Sequence, residues 1–421
     1  MSQPTVTGAA GAPRPPAGPL ALLAHGAFRT IWMAGGVNWM MRWLEMLAIG
    51  VFVYQQTGAP GLVAVVTALR YVPVLLLSAG MGALAERFDR RRIMLASLTI
   101  MLASNLCLLA LAASDLLALW HVALGAFISG LHQTTEFPVR RTMLGEIAGP
   151  DGVAAAMTLD SMTHHAMRIA GPAAGGLLLQ LSGMTAVYCA TSSGFLLALV
   201  LIWSTGYRSG RARGTGGSLL GDIIEGIRFV RSEPRIVGAL CITLIANVFG
   251  FPYFAMVPVM GAKVLGLDAF LTGTLQSTDA LGALLGALVL TMLARPRWFG
   301  WIFLASTLLL EVAVILFALS EVYVLSLACL FLGGIGMAGF AAMQSTIAFA
   351  TAPPEMRSRA MSLVAICIGM APLGILHLGL MAEWLGTPTA LIVMAVEGLV
   401  ALTAAFLRWP ELRAGLPSRP E

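Results

Sequence analysis

The chain has 421 residues, of which 58% are hydrophobic and 11% are charged, and its formal net charge is +5. A mean hydropathy of +0.87 excludes an ordinary soluble domain, and the placement of the arginines gives no reason to predict nucleic-acid binding. Apolar runs of about 20 residues fit a bilayer hydrocarbon core about 30 Å thick. The composition therefore predicts an all-α integral membrane protein.

The order of apolar and polar segments predicts twelve transmembrane helices in two groups of six. The first residues are rich in Pro, Gly and Ala and give no sign of a cleavable signal peptide. Residues 219–230, in the longest polar stretch, have the spacing of an amphipathic helix on the membrane surface; the alternative is a plain tether. The predicted parts are a disordered cytoplasmic tail (1–25), a first six-helix half (26–205), a cytoplasmic linker (206–234), a second six-helix half (235–408) and a cytoplasmic tail (409–421).

Positive charge is unevenly distributed among the predicted loops. With the amino terminus inside, the cytoplasmic segments hold the loop arginines, including Arg140 and Arg141, whereas the outer loops hold only Lys263. Loops rich in Lys and Arg stay in the cytoplasm, so we predict a multi-pass protein of the cell (inner) membrane with both termini cytoplasmic. The five cysteines lie inside apolar runs without metal-ligand spacing, so no metal site is predicted.

The most charged segment of the first half is residues 82–92, which read Gly-Ala-Leu-Ala-Glu-Arg-Phe-Asp-Arg-Arg-Arg. It resembles the signature loop of the major facilitator superfamily, although Glu86 replaces the usual Asp and Asp89 stands where Gly is more common. The Asp followed by arginines is similar to the branch of macrolide and siderophore (enterobactin-type) exporters. The resemblance covers about residues 25–410 and implies the major facilitator fold of two pseudo-symmetric six-helix halves.

A weak internal repeat agrees with two related halves. Residues 82–84 recur as 286–288, and residues 156–159 recur in similar form as 360–363. Both matches have the same offset, about half the chain, which favours two parallel repeats related by an axis along the membrane normal.

The charged loop also has a role that the resemblance implies. In relatives this loop is thought to hold the two halves together on the inner side while the cavity faces outward. The alternative is that its charges only set the topology. The cytoplasmic gate residues implied by the resemblance are Gly82, Glu86, Arg87, Asp89, Arg90 and Arg91.

A glycine-rich element lies in the fifth predicted span, where residues 168–176 read Arg-Ile-Ala-Gly-Pro-Ala-Ala-Gly-Gly. It resembles the Gly-Pro-x-x-Gly-Gly element of exporters in this superfamily and favours export over import. Small residues let helices approach closely, and neighbouring helices satisfy the backbone groups that Pro leaves free. The implied helix-packing residues are Gly171, Pro172, Gly175 and Gly176; the alternative is generic packing.

Charged and polar side chains inside the predicted spans are costly and commonly face a cavity. Asp160, His164 and Arg168 recur every four residues, so they share one helical face. We predict a polar cavity that binds substrate and exchanges a proton. The alternative is internal ion pairing of Arg42 with Glu45 and of Asp160 with Arg168. The cavity candidates are Asn38, Arg42, Glu45, Arg70, Glu136, Asp160, His164, Arg168, Gln276 and Asp279.

The proton carrier is sought among these acids. Glu45 and Asp160 have an arginine on their own helix, and a nearby arginine favours the charged form of a carboxyl. Asp279 and Glu136 are expected to have no arginine partner. An unpaired buried acid is the better proton carrier near neutral pH, and Asp279 is our first choice.

The sequence as a whole predicts a secondary active transporter that exports a small amphiphilic molecule, drug-like or siderophore-like, in exchange for protons. The Arg-x-x-Gln-Gly element of many drug–proton antiporters is absent, because residues 125–130 read Gly-Ala-Phe-Ile-Ser-Gly. A Gly-Lys-Ser/Thr phosphate loop is absent as well. A transporter-like ligand sensor or non-translocating membrane subunit is the second hypothesis. We expect no enzyme activity, no cofactor and a monomer, with a small-molecule substrate and the lipid bilayer as partners and no nucleic acid.

Overall fold

A computed structural model describes residues 19–207, 228, 230, 233–353 and 356–413, without the side chains of residues 19, 20, 78–87, 293 and 358. These residues are almost all helical, and no strand occurs among them. The predicted all-α class is therefore confirmed. Most of the predicted amino-terminal tail, most of the linker helix and the end of the carboxyl-terminal tail lie outside the described residues.

Thirteen α-helices can be numbered along the described chain. They are α1 (Pro19–Ala24), α2 (Gly26–Thr57), α3 (Pro60–Arg87), α4 (Arg90–Ala113), α5 (Leu119–Ser204), α6 (Pro234–Ile245), α7 (Tyr253–Val259), α8 (Ala269–Leu293), α9 (Phe299–Ala318), α10 (Tyr323–Thr351), α11 (Arg357–Gly369), α12 (Ala371–Leu385) and α13 (Thr387–Arg408).

The long helix α5 is three helical segments in sequence. Its backbone leaves the helical region at Gly149, where φ is 68°, and again at Ser182 and Gly183. Nine segments of the described chain, α5 counted once, are long and apolar enough to cross a membrane. Helix α2, which contains Arg29, Arg42 and Glu45, is not among those nine. The chain is thus a multi-pass helical membrane protein, and the count of twelve spans stays a prediction.

Several helix ends have identifiable caps. The carboxylate of Asp89 accepts a hydrogen bond from the amide of Arg92 at 2.9 Å and begins α4. Asp268 accepts one from the amide of Leu271 at 2.8 Å and begins α8. Each cap satisfies a backbone donor that the first helical turn leaves free. A backbone donor close to a bilayer needs a partner within the protein, because the hydrocarbon core cannot supply hydrogen bonds.

A repeated packing contact relates the two halves. A Cβ atom added to Gly130, on the first segment of α5, would collide with the carbonyl oxygen of Arg70 on α3. A Cβ atom added to Gly334, on α10, would collide in the same way with the carbonyl oxygen of Asp279 on α8. Equivalent glycines therefore let equivalent helices approach closely. The contacts also place Arg70 and Asp279 at related depths in their halves.

The two halves meet along α5 and α8 and along α3 and α12. Gly176 approaches the carbonyl oxygen of Ala269, and Gly273 approaches that of Pro172, so closely that neither glycine has room for a Cβ atom. The contact between α3 and α12 includes the amide of Gly61, which donates to Glu383 Oε2 at 3.1 Å. Both contacts lie toward the ends of the helices that adjoin the loops at residues 58–59 and 265–268. That end of the molecule is closely packed in this conformation, and we call it the packed end.

The first helices of the two halves differ in regularity. In the first half, α2 is a continuous α-helix of 32 residues. In the second half, α7 has only 7 residues and lies between two π-helical turns, Ala246–Gly250 and Met260–Val264. The wide turns are held by i→i+5 hydrogen bonds, such as the 2.7 Å bond from the amide of Phe251 to the carbonyl of Ala246.

A buried polar site between the halves

The first charged pair of the site joins α2 to α3. Arg70 Nη2 lies 2.7 Å from Glu45 Oε2, and both side chains are almost fully buried. Arg70 also donates to the carbonyl of Arg42 at 3.3 Å. The pairing of Arg42 with Glu45, which the sequence offered as an alternative, is therefore wrong. The partner comes from the neighbouring helix, which sequence spacing along α2 could not reveal.

The second cluster is centred on Arg140. This arginine is completely buried and makes short ion pairs with Glu136, one turn earlier on α5, and with Asp160, on the middle segment of α5. Arg141 adds a 3.0 Å contact to Asp160. Gly35 on α2 provides the room, because a Cβ atom there would collide with the Arg140 guanidinium. Arg140 thus binds two carboxylates inside the helical bundle.

This cluster corrects three sequence-based expectations. Arg140 lies inside the helical bundle and not in a cytoplasmic loop. Asp160 pairs with Arg140 and Arg141 and not with Arg168, and Glu136 is not unpaired. The first segment of α5 continues to residue 148, beyond the end expected near residue 142, which explains the error. The four-residue spacing of Glu136 and Arg140, which suits an ion pair on one helix, was the signal that could have identified it.

The third charged pair crosses between the halves. Arg168 Nη2, on the middle segment of α5, lies 2.5 Å from Asp279 Oδ2 on α8. The hydroxyl of Tyr253, on α7, donates to Asp279 Oδ1 at 2.5 Å. The expectation that Asp279 has no partner is therefore wrong, because its partner is on the other half of the chain. Nearby, Gln276 donates to the carbonyl of Phe254 at 3.2 Å.

Aromatic side chains surround these charges. Trp39, Trp43, Met46 and Phe254 form a buried cluster between α2 and α7. Trp43 meets Phe254 edge to face, with ring centroids 5.6 Å apart. His164 lies against Trp39, with centroids 4.1 Å apart. The tryptophans and Tyr253 are not among the residues predicted from the sequence, because aromatic side chains inside apolar spans do not stand out as charged ones do.

Arg42 and Asn38 complete the polar face of α2. The Arg42 guanidinium lies 5.1 Å from the ring centroid of Trp39 and 5.6 Å from that of Trp43. Asn38 is buried, and neither polar atom of its side chain has a hydrogen-bond partner among the described residues. Of the cavity candidates, most therefore lie around one interface of α2, α3, α5 and α8. His132 adds a contact beyond this group, at 2.8 Å from Ser97 Oγ.

The predicted gate is described only in part. Asp89 caps α4, Arg90 lies 2.5 Å from Glu146 Oε1, and Arg91 donates to the carbonyl of Ile202 at 3.2 Å. These contacts all lie within the first half. The side chains of Glu86 and Arg87 are outside the described residues, so the latch between the halves stays a prediction.

The glycine-rich element lies at helix contacts. A Cβ atom on Gly171 would collide with Trp43, and one on Gly175 with the carbonyl of Leu44. Gly176 and the carbonyl of Pro172 instead face α8 across the two halves. The element thus touches α2 on one side and the second half on the other. Among the described residues, no group of three or more His, Cys, Asp or Glu side chains could hold a metal ion.

Comparison with known families gives one match that spans almost the whole chain. Residues 17–417 match the family model of transmembrane secretion effectors, a family of the major facilitator superfamily.

Curated relatives are distant but similar over most of their length. The staphyloferrin A transporter of Staphylococcus aureus is 21% identical, over 86% of this chain and 91% of that protein. Macrolide efflux protein A of Streptococcus pyogenes is 19% identical, over 85% and 90%. The enterobactin exporter EntS of Shigella flexneri is 26% identical, over 84% and 85%.

A solved structure shares the fold. A bacterial homologue of the human lysosomal transporter Spinster, in an inward-facing and unoccupied conformation, superposes with a TM-score of 0.76 at 14% identity. The match covers 94% of this chain and 99% of that chain. At this identity the similarity concerns the fold alone.

Proposed function

Because the chain belongs to the transmembrane secretion effector family of the major facilitator superfamily, we propose that it exports a small amphiphilic molecule by alternating access, coupled to protons. The relatives in this family include transporters of siderophores and of macrolides. Their names support a small amphiphilic molecule as the substrate. The family and its members give no support for an enzyme.

The observation on which this proposal chiefly depends is the ion pair between the halves. Arg168 and Asp279 are buried and in contact, and Tyr253 holds the second carboxylate oxygen. Opening the packed end would separate α5 from α8 and break this pair. A buried charge that loses its partner is costly, so the pair favours the conformation in which it is intact.

Proton coupling follows from the same contact. When Asp279 takes up a proton it becomes neutral, and its attraction to Arg168 is lost. Protonation of Asp279 therefore favours separation of the halves at the packed end, and release of the proton favours their contact. If the termini are cytoplasmic, the packed end is the outer one, and this conformation faces inward. The outward-facing state, in which the pair is broken, would bind the proton more tightly than this inward-facing state, so a proton would be taken up from outside and released inside while substrate moves outward.

A flux experiment tests transport. Inside-out vesicles that contain the protein and have an acidic lumen should accumulate at least one of staphyloferrin A, enterobactin or a macrolide. Binding of a compound without accumulation would favour the ligand-sensor hypothesis. Neither binding nor accumulation of any of the three would contradict the proposed function. Empty vesicles made from the same lipids are the control for leakage.

The orientation can be tested separately. We propose that the protein lies in the inner membrane as a monomer with both termini cytoplasmic. In a variant whose five cysteines are replaced, a cysteine at Gly58 should react with an impermeant maleimide from outside the cell. A cysteine at Gly206 should react only from the cytoplasm. Labelling of both sites from one side would contradict this topology.

A further inference from the structure

Within the described part of the chain, one arginine of the buried site has no carboxylate partner. Five arginines line the site and four acids face them. Each acid forms an ion pair with one or two of the arginines. Glu45 pairs with Arg70, and Asp279 pairs with Arg168. Glu136 pairs with Arg140, and Asp160 pairs with Arg140 and Arg141. Among the described residues, Arg42 forms no ion pair. With its four acids ionised, the site therefore has an excess of one positive charge, located on α2.

The surroundings of Arg42 are flat and apolar. Its guanidinium lies near the rings of Trp39 and Trp43, and the hydroxyl of Tyr71 is its neighbour on α3. Arg42 itself is only partly buried. An arginine that stacks on aromatic rings keeps its donors available for a second partner, because the rings contact its face and not its N–H edge.

Hydrogen-bond donors accumulate beside this charge. Asn38 Nδ2, Trp39 Nε1, Arg42 Nε and Trp43 Nε1 are buried and have no partner among the described residues. The same stretch of α2 leaves only two acceptors without a partner, Asn38 Oδ1 and Glu45 Oε1. Buried donors normally have partners. The unpaired donors of this stretch therefore outnumber its unpaired acceptors, and an anion is the partner that would supply the missing acceptor atoms.

We propose that Arg42 and the donors beside it bind the anionic head group of an organic anion with a flat apolar body. A carboxylate would accept from the guanidinium of Arg42 and from neighbouring donors, and the flat body would pack against Trp39 and Trp43. The donors are covered in this conformation, so binding requires a side-chain shift of Trp39 or Arg42. This assignment rests on the proposed transport function, for which it defines the substrate class.

Equilibrium binding of a matched pair of probes tests the assignment. The radiolabelled carboxylate 2-naphthoate and its neutral amide, 2-naphthamide, differ in charge but little in shape. The full-length protein in lipid nanodiscs should bind the carboxylate about tenfold more tightly than the amide, as a charge-assisted hydrogen bond provides. In Arg42→Gln this preference should disappear while amide binding persists. Arg42→Lys should keep part of the preference, because the charge remains but the planar fork is lost.

The controls separate this assignment from general effects. Arg297→Gln removes the same charge from an exposed turn outside the site and should leave the preference unchanged. No preference for the carboxylate in the parent protein, or an equal preference in Arg42→Gln, overturns the assignment.

Trp43→Phe, which keeps an apolar ring, provides a second variant if Arg42→Gln does not fold, and it should weaken binding of both probes. Unchanged binding of both probes to Trp43→Phe would likewise overturn the assignment. Absence of flux in vesicles would contradict the transport function but not a charge preference measured at equilibrium.

Discussion

The close approach of α5 and α8 at Gly176 leads to a prediction about conformational state. In Gly176→Ala, the new methyl group would collide with the carbonyl oxygen of Ala269 and would lie 3.0 Å from Cα of Phe270. Both obstacles are backbone atoms, which cannot move aside as a flexible side chain can. The two halves must therefore separate at the packed end.

The size of the effect follows from packing energetics. Inserting one extra carbon into a well-packed contact costs about 1–3 kcal/mol. If this cost falls only on the packed conformation, its population relative to the separated one should fall about 5- to 150-fold. The fold of each half should persist, since the clash lies between the halves and can be relieved by their separation.

Spin labels across the packed end measure this shift. In a cysteine-replaced background, labels at Ser182 and Lys263, both exposed, report the distance between the halves. Gly176→Ala should move the distribution toward longer distances, and Gly273→Ala, at the same contact, should act in the same direction. The matched control is Gly333→Ala, whose new methyl group would meet only Ala313 Cβ at 3.5 Å. A Gly176→Ala distribution that equals that of the parent or of the control would refute the packing argument.

Three further predictions follow from the charged contacts. Asp279→Asn should fold and bind substrate but lose the pH dependence of transport, since it resembles the protonated state at all pH values; an unchanged pH profile in the flux assay would assign coupling to another group. Asp89→Asn should retain the cap of α4, because Asn is an equally good capping residue, but should weaken the inner latch; spin-label distances between the cytoplasmic ends of α3 and α11 that match the parent would leave its loop with a topogenic role only. Arg140→Gln should destabilise the protein by about 3–5 kcal/mol, because two buried carboxylates lose their partner; a melting temperature equal to that of the parent would contradict this.

The fold was accessible from the sequence because its signals are local. Apolar runs predict the spans, and the loop at residues 82–92 identifies the superfamily, which the family match confirms. The boundaries were less certain where no polar loop intervenes. Three predicted spans of the first half run together as α5, broken only at Gly149 and at Ser182 and Gly183.

The sequence indicated which residues form the candidate site but not how they pair. The sequence selected both Arg168 and Asp279, yet their separation of 111 positions concealed that they are partners. Pairing along one helix was the only geometry that spacing could suggest, and it gave two wrong pairs. Tertiary contacts decide which acid meets which arginine, and these depend on how helices from distant parts of the chain pack together.

The irregular backbone around α7 has a mechanical consequence. A π-helical turn contains one more residue than the α-helical turn it replaces, and such turns frequently occur at functional sites. Two of them, together with Pro252 and Pro258, give this part of the second half several places where the helix can change pitch without losing all its hydrogen bonds. The uninterrupted α2 offers no such place. We therefore expect the two halves to change shape unequally when the packed end opens. Helix α2 would rotate as a rigid body. The segment that positions Tyr253 would bend, which would break the hydrogen bond from Tyr253 to Asp279.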